Sequence, residues 1–236
     1  MGSLPRYATA VAFVQALLLG GCGQPASEPA PSPTQSATAE ASVQRPAGKE
    51  RLVLAFGDSL YAGYGLDRGQ SLPDAVQARL RRAGVNADVV NAGVSGDTSA
   101  AGRQRLGFVL DNLKRKPDLV MLGLGGNDVL RQIAPAETRA NMTAMLDELK
   151  RRGIPVLLTG MKAPPNLGPD YVAAFDTIWP DLAKRYGGGL YPFILDGVIG
   201  DPALMQGDRV HPNVRGVARI ADKVAPLVAG QLQETG

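Results

Sequence analysis

Leu52-Val53-Leu54-Ala55-Phe56 is an unbroken apolar run of strand length, closed by Gly57-Asp58-Ser59. A strand that is apolar at every position, and not merely at alternate ones, has both faces covered, as in a parallel sheet between two layers of helices. Comparable runs recur at Ala87 to Val94, Asp118 to Leu124, Pro155 to Met161 and Gly189 to Leu195. Between them the apolar residues fall at helical spacing: Leu72, Val76 and Leu80 within Ser71 to Ala83, Leu106, Val109, Leu110 and Leu113 within Ser99 to Lys116, and Met142, Met145, Leu146 and Leu149 within Pro135 to Arg152. Tyr171, Phe175, Ile178 and Leu182 mark a further helix that Pro180 is expected to kink, and Val217, Ile220, Val224 and Val228 mark the closing helix Val214 to Leu232. This alternation predicts an α/β fold, a three-layer α/β/α sandwich with a five-stranded parallel sheet.

In an open parallel sheet, ligand chemistry gathers at the C-terminal ends of the strands. There the first run presents Ser59, the second leads into Val94-Ser95-Gly96-Asp97-Thr98, and the third into Gly123-Leu124-Gly125-Gly126-Asn127-Asp128. A serine becomes a nucleophile only when a base takes its proton and a further group orients that base. The chain has a single histidine, His211, three residues after Asp208 in Gly207-Asp208-Arg209-Val210-His211-Pro212-Asn213. The short spacing allows one loop to carry both base and orienter. The bland alternatives are a Gly-Asp-Ser turn or helix cap, a loop histidine, and an aspartate capping the helix after Pro212.

Four stretches in this order, AFGDSLYAGYGL from Ala55 to Leu66, SGDTS from Ser95, GGND from Gly125 and the DxxHPN ending from Asp208, resemble the GDSL (SGNH) family of serine esterases. More narrowly they resemble its bacterial subgroup of multifunctional acyl thioesterases, arylesterases and lysophospholipases, over roughly residues 51 to 233. The resemblance implies the flavodoxin-like strand order 2-1-3-4-5 and a triad of Ser59, His211 and Asp208. It also implies an oxyanion hole made by the Ser59 N–H, the Gly96 N–H and the Asn127 side-chain amide. Gly96 and Asn127 also read as a turn glycine and a local cap. Tyr61 stands where many relatives carry a small hydroxyl residue, and Val129 where they often carry glycine, so both bear on the shape of the pocket. Leu130, Ile133, Pro164 and Pro165 are expected to form an apolar groove for an acyl chain, with a plain structural loop as the alternative.

Asp58, Asp97 and Asp128 each adjoin one of these residues, which favours hydrogen-bonding support over a metal site. No His/Cys cluster points to zinc and no P-loop or dinucleotide fingerprint occurs, so no metal or cofactor is expected. A net charge of +3 from 25 basic and 22 acidic residues, with no basic block, argues against nucleic-acid binding. The expected substrates are small acyl esters, thioesters or lysophospholipids, and a monomer is expected. A carbohydrate O-acetyl esterase of the cell envelope and a non-enzymatic envelope-binding lipoprotein are the rival readings.

Residues 1–22 read as a signal peptide: Arg6 precedes an apolar stretch from Ala8 to Leu19 that is shorter than the roughly 18 residues of a membrane span. Leu19-Gly20-Gly21-Cys22 resembles a bacterial lipobox, with the sole cysteine as lipidation site and the membrane as partner; an ordinary secretory signal is the alternative. Residues 23–49, rich in Pro, Ala and Ser, are expected to be a disordered tether, and residues 50–236 the catalytic domain. The location expected is the bacterial cell envelope, facing the periplasm or the exterior.

Overall fold

The computed structural model describes residues 45–234. The expected signal peptide, Cys22 and most of the expected tether lie outside the described residues. Five parallel strands, β1 Arg51–Gly57, β2 Ala87–Gly93, β3 Leu119–Gly123, β4 Val156–Thr159 and β5 Gly189–Tyr191, are arranged in the order β2-β1-β3-β4-β5. The order agrees with the expected one. β1 is flanked on both sides, pairing Val53 with Val89 and with Leu119, and its residues Leu52 to Gly57 are all buried.

Helices cover the sheet. α1 is Ser59–Ala62, α2 Leu72–Arg82, α3 Ser99–Asp111, α4 Gly126–Leu130, α5 Pro135–Arg151, α6 Pro169–Asp176, α7 Ile178–Tyr186 and α8 Val214–Glu234. α2 packs on α8, while α3, α6 and α7 pack on α5. α2 starts at a full capping box, in which Ser71 accepts from the Asp74 N–H and the Asp74 side chain accepts from the Ser71 N–H. Its buried face is the predicted stripe of Leu72, Val76 and Leu80, and α8 buries Val217, Ile220, Val224 and Val228 as expected.

Proline chemistry accounts for most departures from the sequence reading. The helix around Tyr171 is not kinked at Pro180 but divided at Thr177, so that Pro180 falls in the first turn of α7, where its missing N–H is no loss. β5 stops at Tyr191, short of Leu195, because Pro192 cannot donate to the ladder. The Ile194 N–H turns instead to the Gly160 carbonyl at 2.8 Å. α3 ends at Asp111, five residues before Lys116: the Asn112 side chain takes the Phe108 carbonyl at 2.7 Å, and Pro117 restricts the residue before it.

Because all strands run the same way, the segments after β1, β2, β3 and β5 emerge at one edge. Those segments hold Ser59, Gly96, Asn127 and the Asp208 to His211 loop respectively.

Candidate active site

Asp58 is buried and caps α1, its Oδ1 accepting the Leu60 N–H at 3.0 Å, and Ser59 opens that single helical turn. Four residues build only a small dipole, so the turn offers its free N–H groups more than a macrodipole. From 152 residues away, His211 brings Nε2 to 2.9 Å from Ser59 Oγ. Its Nδ1 lies 2.6 Å from Asp208 Oδ2. With the ring proton on Nδ1, that atom donates to Asp208 and Nε2 accepts from the serine, so each group has its partner.

Asp208 is itself fixed by the turn it sits in. Its Oδ1 accepts the backbone N–H groups of His211 at 3.0 Å and Val210 at 2.9 Å. The His211 N–H, outweighing partial burial, holds the Asp208 carboxyl down at about 2, with help from the ring and the Val210 N–H. Arg209, between them, adopts a left-handed φ of 58°, the cost of a turn tight enough to bring both ends of the carboxylate into use. Asn213 anchors the loop from below: its amide donates to the Ala203 and Met205 carbonyls, and its Oδ1 accepts from the N–H groups of Arg215 and Gly216 at the start of α8.

The Tyr64 ring lies 4.5 Å from the His211 ring, tilted by 37°. Gln206 holds the two loops together, donating to the Tyr64 carbonyl at 2.8 Å and the Pro212 carbonyl at 3.0 Å. Periodicity and spacing did not single out Tyr64 or Gln206. A recess beside Ser59 and His211 is lined by Leu60, Gly63, Tyr64, Leu66, Pro212 and Val217. Leu130, Pro164 and Pro165 are exposed and Ile133 half-buried, on the segments that follow β3 and β4.

Gly96 has φ +87°, a conformation that glycine adopts without strain, and its N–H, like that of Ser59, meets no acceptor among the described residues. The Asn127 amide donates to the Asp97 carbonyl at 2.9 Å, which orients the group and leaves its second hydrogen unspent.

The neighbouring aspartates each bind the framework. Asp128 is fully buried and accepts from the Ser99 N–H at 2.8 Å, the Ser99 hydroxyl and the Thr138 hydroxyl at 2.9 Å. Asp97 pairs with Arg105 at 2.6 Å. Burial pushes the Asp58 carboxyl up to about 6 against the opposing Leu60 N–H. Among the described residues no group of three or more His, Cys, Asp or Glu is placed to hold a metal ion.

Tyr61 and Val129 both belong to the buried core. Tyr61 is fully buried, its hydroxyl hydrogen-bonded to Thr159 at 2.8 Å, and Val129 is 7% exposed. Tyr61 packs under the sheet edge against Gly57, Gly93 and Gly123, so its bulk shapes the floor of the site and not the mouth.

Residues 55–219 match the model of the GDSL-like Lipase/Acylhydrolase family. The chain is 41% identical over 176 residues to the Esterase TesA of Pseudomonas aeruginosa, covering 75% of this chain and 87% of that protein. It is 37% identical over 180 residues to the Thioesterase 1/protease 1/lysophospholipase L1 of Escherichia coli K12, covering 75% and 84%. Among solved structures it resembles AlinE4, an SGNH-hydrolase family esterase, at 53% identity and a TM-score of 0.67, over 78% of this chain and 97% of that one.

Proposed function

Because the chain belongs to the GDSL-like lipase/acylhydrolase family and is an ester-hydrolysing enzyme, we propose that it works through an acyl-enzyme on Ser59. Ser59 Oγ attacks the acyl carbonyl carbon as His211 Nε2 takes its proton. Asp208, held ionised, keeps the Nδ1 proton in place and stabilises the imidazolium that forms. The carbonyl oxygen, now carrying the negative charge, is met by the N–H groups of Ser59 and Gly96 and the spare amide hydrogen of Asn127. Collapse of the tetrahedral species breaks the bond to the leaving group, which departs as alcohol or thiol with the proton from His211. Water, deprotonated by the same imidazole, then hydrolyses the acyl-serine and restores the free hydroxyl.

The observation that carries this reading is the unbroken relay Asp208–His211–Ser59, with contacts of 2.6 and 2.9 Å. Aryl esters, acyl thioesters and lysophospholipids are the substrate classes, in keeping with the names of the relatives. Leu130, Ile133, Pro164 and Pro165, on the segments that follow β3 and β4, are the residues assigned to the acyl chain. The mature enzyme acts as a monomer in the bacterial cell envelope, tethered through lipid on Cys22. A diacylglyceryl mass increment on the N-terminal peptide beginning at Cys22 is the expected sign of that anchor, and an unmodified cysteine contradicts it.

The test of activity is a panel of p-nitrophenyl esters of graded acyl length, an acyl thioester, a lysophospholipid and an acetylated polysaccharide. Turnover of the first three, lost in Ser59→Ala with the fold intact, is expected. Activity confined to the acetylated polysaccharide transfers the enzyme to the carbohydrate esterases.

A further inference from the structure

Arg105 stands in the second turn of α3 and reads in the sequence as one more surface arginine, close to Arg103. Its side chain is nevertheless only 20% exposed, and the guanidinium is spent on groups that flank the serine's surroundings. Nε donates to Asp97 Oδ2 at 2.6 Å and Nη2 to the Gly57 carbonyl at 2.9 Å, while the guanidinium carbon lies 3.9 Å from the centre of the Phe56 ring.

Each of the two hydrogen bonds leads in one or two residues to a proposed oxyanion donor. Gly57 precedes Ser59 by two residues, and its carbonyl also accepts the Val94 N–H at 3.0 Å, joining the ends of β1 and β2. Asp97 follows Gly96 directly, and its N–H closes the turn onto the Val94 carbonyl at 3.2 Å. The Asp97 carbonyl, in turn, receives the Asn127 amide at 2.9 Å. One planar cation therefore fastens the segments that bear all three donors, which come from three different strand ends.

We infer that Arg105 is a positioning residue that sets the spacing of the oxyanion hole; the inference rests on the donor assignment proposed above. A fork of donors in fixed geometry is what the position requires. Lysine keeps the charge but, as a single point, cannot serve Asp97 and Gly57 in the same way. Donors displaced by a fraction of an ångström still bind substrate, yet meet the transition-state oxygen poorly, so the loss falls on kcat and not on KM.

The experiment compares wild type, Arg105→Lys, Arg105→Met and Asn127→Ala on p-nitrophenyl butyrate, with active sites counted by fluorophosphonate titration. Expected is a fall of about 10- to 100-fold in kcat per active site for both Arg105 variants, with KM altered less than about threefold and the pH midpoint of kcat/KM unmoved. A structural role alone would lower the titratable fraction or the melting temperature and leave kcat per active site unchanged, and that result overturns the inference. Asn127→Ala separates the two levels. If it loses about 10²-fold or more while the Arg105 variants do not, only the role of Arg105 falls. If it keeps full kcat, the donor assignment falls and this inference with it. Should both Arg105 variants fail to fold, Asp97→Asn removes the charge partner but keeps the carbonyl that holds Asn127, and the same kcat criterion applies to it.

Discussion

Replacing Gly123 by alanine should destabilise the domain by about 3 kcal/mol, and removing the Tyr61 ring should recover part of that loss. A Cβ at Gly123 would stand 2.4 Å from Tyr61 Cε2 and 2.4 Å from Thr159 Oγ1, distances that no relaxed contact reaches. The ring has nowhere to retreat. A Cβ on Gly57 would meet Tyr61 Cδ2 at 2.5 Å, and one on Gly93 would meet Tyr61 Cβ at 2.7 Å, so three strand ends form a socket cut to this side chain. Tyr61→Ala empties the socket and costs about 3 to 5 kcal/mol by itself. If the two effects simply added, the double variant would lose about 6 to 8 kcal/mol, much of the stability of an ordinary domain. With the ring gone, however, the new methyl group enters vacated space, and the Thr159 hydroxyl, freed from its phenol partner, can turn aside. The double variant should therefore be more stable than the sum by at least about 1 kcal/mol. Urea denaturation followed by circular dichroism measures all four corners of the cycle. Additivity within about 0.5 kcal/mol would refute the socket.

Two further outcomes follow from the charged groups beside the serine. Asp208→Asn presents an amide to His211 Nδ1 and favours the ring tautomer whose Nε2 carries the proton, so kcat on p-nitrophenyl esters should fall by roughly 10²- to 10⁴-fold with KM little changed; a fall of less than about threefold contradicts the orienting role. The Asp58 carboxyl, pushed up to about 6 by burial, keeps its proton when folded over a range in which the unfolded chain, with its ordinary value of 3.8, has lost it. Stability should therefore fall as pH rises from about 4 to about 6, by about 3 kcal/mol more in wild type than in Asp58→Asn. Parallel curves of unfolding free energy against pH for the two proteins would contradict that burial.

The strands, the helical stripes and the pairing of Asp208 with His211 were legible because each is written locally, as apolar runs, helical spacing and turn spacing. The strand order followed only from the resemblance to the family, and the joining of His211 to Ser59 from its being the sole histidine. Proline positions were legible as breaks but not as places. Pro180 was absorbed into the start of α7, and Pro192 ended β5 four residues before the apolar run did. Tyr61 shows where local reading stops, since its direction depends on glycines at the ends of β1, β2 and β3 that meet only after the sheet forms. Arg105 and Tyr64 were silent for the same reason. An arginine on a helix and a tyrosine in a glycine-rich loop acquire meaning only from Gly57, Asp97 and His211, which other elements deliver.

The central claim is that an acyl group passes through Ser59. Rapid acid quench of the enzyme during turnover of a p-nitrophenyl ester, followed by peptide mass mapping, tests it directly. The expected result is the acyl mass increment on the peptide containing Ser59, absent in Ser59→Ala and slow to build in His211→Ala. An increment on any other residue, or undiminished turnover in Ser59→Ala, would contradict it.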